Sequence, residues 1–326
     1  MRRGFAYGLL AWISLAAWAG EDPWNAGRRL AEQGDYAGAA LALQAALRQA
    51  ETLESGEDRL AGVLHDLAAV RQETGRYLEA ERLYRRAWQL WESNFGAQHP
   101  KAGTAIHNLA TLYRDMGRMG EAERLYRRAL GILEKARGTD HPDVAAVVSN
   151  LAQLHHRQGR RLEAEYGYRR AMAMWSRTRP TDHPDLAVGL NNLAGLHQSL
   201  GQPGRALPLA AEALGILEKS MEPGHPVVAK ALTNVARIHT SLRQFDRAQE
   251  LLERALLTTE SRLGSTHPQV GVVLLEYRSF LRKANRKREA ARLERRALAI
   301  LNQHARDNLL GMTVDARQAL RQNGRR

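Results

Sequence analysis

The chain has 326 residues, no cysteine, 6% aromatic residues and 10 prolines, with a formal charge of +13 from 48 Lys or Arg against 35 Asp or Glu. Without thiols it can form neither disulfides nor thiolate metal sites nor a lipid-modified N-terminal cysteine, and few aromatic or β-branched residues argue against a sheet protein. An all-α fold is expected, with its cations concentrated at one end: 13 Lys or Arg face four acids in 282–326.

Met1-Arg2-Arg3 is a basic start, and Phe5 to Ala19 is an apolar run broken only by Gly8 and Ser14. Ala17-Trp18-Ala19 before Gly20 supplies an A-x-A cleavage site, so 1–19 reads as a secretory signal peptide cleaved after Ala19. The run of 15 residues is shorter than the roughly 20 that cross a bilayer. The mature chain is therefore expected to be exported, periplasmic or secreted, with no transmembrane helix; export speaks against nucleic acid as the partner of its charge. Next, Gly34-Asp35-Tyr36 and Ala39 echo Gly75-Arg76-Tyr77 and Ala80, marking a short helix pair over 24–50.

From there the chain keeps a clock. His-Pro occurs at 99, 141, 183, 225 and 267, always 42 residues apart. Asn108-Leu109-Ala110, Asn150-Leu151-Ala152, Asn192-Leu193-Ala194 and Asn234-Val235-Ala236 keep step, with Asp66-Leu67-Ala68 as an earlier copy. Two alanine columns follow, Ala80 to Ala290 and Ala87 to Ala297. In the unit at His141, Pro142 suits a first helical turn, because its missing N–H has no partner there. Val144, Val147, Val148, Leu151 and Leu154 then form one apolar stripe ending at Gly159, which predicts helix A. Ala164, Tyr168, Ala171 and Trp175 predict an amphipathic helix B stopping near Arg179-Pro180. Two such helices cannot bury both stripes alone, so units must stack and share a core. Seven helix pairs are expected within 20–302, at 24–50, 58–95, 100–137, 142–179, 184–221, 226–263 and 268–302. A basic tail over 303–326 follows, with 307–322 as a capping helix.

The strings HPDVAAVVSNLAQLHHRQGRRLEAEYGYRRAMAMW and HPKAGTAIHNLATLYRDMGRMGEAERLYRRALGILEKARGTDHP resemble the 42-residue tetratricopeptide repeats of kinesin light chains and their bacterial relatives. The resemblance covers about 58–302 and implies an α-solenoid, a right-handed superhelix of antiparallel helix pairs. Glu276-Tyr277-Arg278 in the Asn-Leu-Ala position and Glu294 in the position of Tyr84, Tyr126 and Tyr168 depart from it, as terminal repeats do. It further implies that a concave face lined by A helices holds an extended peptide, with the triplet asparagines on its backbone and groove cations on its acidic side chains. The positions so implicated are His65 and Gln72; His107, Asn108, Thr111 and Arg114; Asn150, Gln153 and His156; Asn191, Asn192 and Gln198; and Asn234 and Arg237. Each asparagine also has a purely structural reading, as a hydrogen bond that satisfies a buried amide.

Catalysis finds no support. There is no Gly-rich phosphate loop, H-E-x-x-H or G-x-S-x-G, and the short uniform turns leave no room for a grafted site. The His-Pro histidines lie one repeat apart, too far to share an ion at about 2 Å. His155, His197 and His239 occupy the slot of Tyr113, and a slot that takes Tyr or His is a packing position. No catalytic, metal or cofactor residue is therefore assigned. The expected function is a non-enzymatic scaffold for a protein or peptide, somewhat acidic. The alternative is docking on lipid headgroups or cell-wall polymer through the basic end at Arg282, Lys283, Arg286, Lys287, Arg288, Arg292, Arg295 and Arg296.

Overall fold

The computed structural model describes residues 20–52, 56–222 and 224–307; the signal peptide proposed at 1–19 and the tail beyond 307 lie outside them. Among the described residues there are fourteen helices and no strand. The chain divides into two compact units, one up to Ala97 and one from Gln98. The first holds α1 (Pro23–Glu32), α2 (Tyr36–Thr52), α3 (Glu57–Glu73) and α4 (Tyr77–Phe95). The second holds α5 (Pro100–Asp115), α6 (Met119–Arg137), α7 (Pro142–Arg157), α8 (Arg161–Thr178), α9 (Pro184–Ser199), α10 (Pro203–Ser220), α11 (Pro226–Ser241), α12 (Phe245–Leu263), α13 (Pro268–Lys283) and α14 (Lys287–Asp307). Odd-numbered helices are the A helices of their repeats and even-numbered ones the B helices. The last B helix continues five residues past the expected end at 302, through Asp307.

Each His-Pro step starts a helix by the same two devices. Proline takes the first helical position, and the preceding histidine is the N-cap: its ring Nδ1 accepts from the N–H two residues on, in Asp143 at 3.1 Å from His141 and Gln269 at 3.1 Å from His267. The ring nitrogen thereby satisfies a donor that a helix start leaves open. Gly159 closes α7 with φ +78°, its N–H on the His156 carbonyl at 3.0 Å and that of Arg160 on His155 at 2.9 Å. These two bonds occupy the last carbonyls of the helix.

Packing follows the columns. Ala122, Ala129, Ala164, Ala171, Ala206, Ala213, Ala248, Ala255, Ala290 and Ala297 are all buried, and Tyr126 and Tyr168 lie beside them. Alanine lets backbones approach, and at one point glycine is needed: a Cβ on Gly167 of α8 would lie 2.7 Å from that of Ala152 on α7. The core is shared between repeats: one cluster combines Leu190 of α9, Leu214 of α10, Leu232 of α11, Ala255 of α12 and Val273 of α13. A buried Leu or Val contributes about 1.5–3 kcal/mol, whereas an isolated helix of this length is marginal, so stacking decides stability. Along the outer wall B helices are bridged by Arg170–Glu134 at 2.6 Å, Arg254–Glu218 at 2.7 Å and Arg296–Glu260. Exposed pairs of this kind contribute at most about 1 kcal/mol each.

Candidate functional site

In the second unit the A helices form a polar row whose residues are tied from repeat to repeat. The Asn150 amide Nδ2 lies 2.8 Å from His107 Nε2, and its Oδ1 accepts from Arg114 at 3.1 Å. Two repeats on, Asn234 is tied in a similar way: its Nδ2 donates to Asn191 Oδ1 of the preceding repeat at 2.7 Å, while its own Oδ1 accepts from Arg237 on the same helix. Further along each helix His156 meets Ser199 at 3.0 Å, Gln198 donates to Ser241 at 2.6 Å, and Arg157 donates to the Arg114 carbonyl at 3.1 Å. Each of these partners is 43 residues away. Ser199, Ser241 and Arg157 were not singled out from the sequence; they follow the implicated column by one residue, and that offset is the signal that identifies them.

One rung of this ladder is open. By register Ser149 stands to Asn192 as His107 stands to Asn150 and Asn191 to Asn234. The serine side chain is the shortest of the three; its Oγ is buried with no hydrogen-bond partner, and the half-buried side chain of Asn192 forms no hydrogen bond among the described residues. The next position of α9 is Gly195, where neighbouring repeats carry Thr111, Gln153 and Arg237. A Cβ there would find only Arg237 Nη2, at 3.9 Å. The Arg237 side chain is 43% exposed, with Glu276 at 4.0 Å. By register, an unpartnered buried hydroxyl on α7 and a half-buried amide on α9 follow one another beside the bare backbone of Gly195, and the 43% exposed Arg237 of α11 is the side chain nearest to that glycine.

The other implicated residues are more enclosed. Arg114 is 11% exposed and held by Asp115 at 2.9 Å; burial opposes its charge, and the Asp115 carboxylate together with the phenols of Tyr126 and Tyr168 more than offsets this, so it is a firm cation. Thr111 accepts from the Tyr126 hydroxyl at 3.0 Å, and the His107 ring lies 5.8 Å from that of Tyr126. Burial raises the Tyr126 phenol above its ordinary value, keeping it a donor. Asn108 and Gln153 are half-buried on the same row. In the first unit His65 packs against Tyr84 and Trp91, with ring centroids at 5.5 and 5.3 Å, and its Nδ1 lies 3.3 Å from Asp66. Asp66, in the triplet position, accepts from Trp24 Nε1 of the preceding repeat at 2.7 Å; Gln72 is half-buried about two turns on.

The Tyr113 slot is buried in each copy, as expected of packing. Arg118 lies over the Tyr113 ring at 3.9 Å, and Gln202 takes the equivalent place at His197 Nδ1, 3.0 Å away. His155 is kept neutral by burial and then by Arg160, which lower it below 6.5. Among the described residues no three His, Asp or Glu side chains converge on a point that could hold a metal ion. No described helix is long and apolar enough to cross a membrane. At the basic end Arg282 meets Glu294 at 3.5 Å, Arg286 meets Glu289 at 2.6 Å and Arg296 meets Glu260. Lys283, Lys287, Arg288, Arg292 and Arg295 are exposed.

Stacked helix hairpins with a shared core and a polar row on their A helices define an α-solenoid repeat protein. The tetratricopeptide repeat model matches residues 59–135, 102–175, 143–219 and 227–303, so the chain belongs to the tetratricopeptide repeat family. No curated protein matches it. Among solved structures, BtubC (BKLC) from P. vanneervenii is 25% identical with a TM-score of 0.51, over 71% of this chain and 91% of that one. A Podosopora anserina kinesin light chain structure with nearly identical TPR-like repeats is 26% identical with a TM-score of 0.47, over 64% and 98%. The solved structures that the chain resembles thus include kinesin light chain-like repeat proteins. The Rap conjugation gene regulator of the plasmid pLS20, solved with the Phr* peptide, shares the fold at 17% identity and a TM-score of 0.70, over 89% of this chain and 76% of that one.

Proposed function

We propose that the protein is a non-enzymatic interaction scaffold whose A-helix row in the second unit holds an extended, acidic peptide segment. The carrying observation is the open rung: Ser149 Oγ is buried without a partner, Asn192 is half-buried in the next repeat, and Arg237 is the nearest side chain to the bare backbone of Gly195. Buried polar groups require partners. An extended peptide supplies them, because its backbone offers both donors and acceptors and can approach closely over a glycine, while an acidic side chain reaches the guanidinium. Asn150 and Asn234, whose amides are engaged between repeats, hold the row in place and leave Asn192 as the contact. The peptide in the Rap regulator structure supports the reading at the level of fold.

The test is binding of the full-length chain to an array of extended peptides that differ in acid content, read by fluorescence anisotropy. Acid-bearing peptides are expected to bind, and Asn192→Ala with Arg237→Ala to weaken them by at least about tenfold, or 1.4 kcal/mol. Equal affinity in the variant, with helical dichroism intact, would remove the site. The second reading, docking of the basic end on an anionic surface, has weaker support, because acids stand beside those cations on the same wall.

A further inference from the structure

The outer wall of the last two repeats carries two rows of opposite sign. On α12 Asp246, Glu250 and Glu253 are exposed at i, i+4 and i+7, and on α14 Arg288, Arg292 and Arg295 occupy the same three positions one repeat later. Such spacing places each trio on one helix face. The 42-residue clock sets the two trios at equal height on B helices that run in the same direction. Arg296–Glu260 and Arg286–Gln249, the latter at 2.6 Å, hold these helices side by side. Among the described residues the rows form no ion pair with each other or elsewhere, and Glu253 accepts from Gln249 and the Tyr277 hydroxyl. Earlier repeats lack this uniformity, with Gly204, Pro208 and Ala211 in the same positions of α10.

From this geometry we propose that the outer wall of α12 and α14 is a self-association surface whose partner is a second copy of this chain. A two-fold axis parallel to the two helices, lying between them, sets α12 of each copy against α14 of the other. Asp246 then faces Arg288, Glu250 faces Arg292 and Glu253 faces Arg295, twice over, without a change of register. Leu257, 70% exposed one turn beyond Glu253, comes to rest on the partner's Ala299. An isologous contact of this kind closes at two copies. A flat anionic surface fits less well, because it would meet the acidic row wherever it met the basic one. Exposed pairs and a single leucine give a weak dimer that salt dissolves.

The test is sedimentation equilibrium of the full chain, with two charge-reversed variants. One carries Arg288→Glu, Arg292→Glu and Arg295→Glu; the other carries Asp246→Arg, Glu250→Arg and Glu253→Arg. The wild-type mass should rise toward two chains with concentration and fall back as salt is raised. Each variant alone should remain a single chain, and an equimolar mixture should associate as the wild type does, since every facing pair is again opposite. The proposal is overturned by a wild type that stays monomeric throughout, by a variant that dimerises unaided, or by a mixture that stays apart while dichroism shows both variants folded. Wild type that pellets with phosphatidylglycerol vesicles but never self-associates would overturn it as well.

Discussion

At every His-Pro step a single imidazole nitrogen fixes where an A helix begins. In His141→Ala the Asp143 N–H loses its acceptor and is left to water, which costs about 1 kcal/mol. His141→Asn, with a side-chain oxygen in place of Nδ1, should restore most of this. Urea denaturation monitored by dichroism checks both, as a lowered and a recovered midpoint at unchanged slope. The sequence places these histidines on a 42-residue clock and recognises proline as the helix starter, but the cap depends on which ring atom turns inward. The Tyr113 slot is plain from the sequence because Tyr and His replace one another there. The asparagines are legible as a column and illegible in role: Asn150 and Asn192 are both followed by Leu-Ala, and it is the residues one repeat back, His107 and Arg114 against Ser149 and His156, that distinguish them.

Between helices, the closing residue of each A helix sets the turn into helix B. Gly75, Gly117, Gly159 and Gly201 take the left-handed conformation there, and the last two repeats use Arg243 at φ 60° and Asn285 at φ 62° instead. Asparagine tolerates this region and arginine does so poorly. Arg243→Gly should therefore stabilise the second unit by about 1 kcal/mol, seen as a higher denaturation midpoint; an unchanged or lower midpoint would show that Arg243 is unstrained. Helix starts and stops in the repeats from His99 onward were readable to within a residue or two, since proline and glycine punctuate them. The end of α14 was not, because no such signal stands between 302 and Asp307. The expected segments at 1–19 and beyond 307 fall outside the described residues.

Across the whole molecule, stability and recognition share one origin. Each hairpin is completed by its neighbours, so the core continues from α9 to α13 without a break, and the same stacking lines up polar positions from successive A helices. Repeat proteins of this kind gain stability from nearest-neighbour interfaces, which leaves the exposed rows free to vary in chemistry from one repeat to the next. That freedom is why the family and fold are legible in the sequence, while a binding site made of one short serine and one missing side chain is not. Hydrogen exchange of the full-length chain, with and without the tightest acidic peptide of the array, tests the central claim most directly. Slowed exchange is predicted in α7, α9 and α11 around Gln153, Asn192 and Arg237; slowing confined to α8, α10 and α12, or none at saturating peptide, would contradict it.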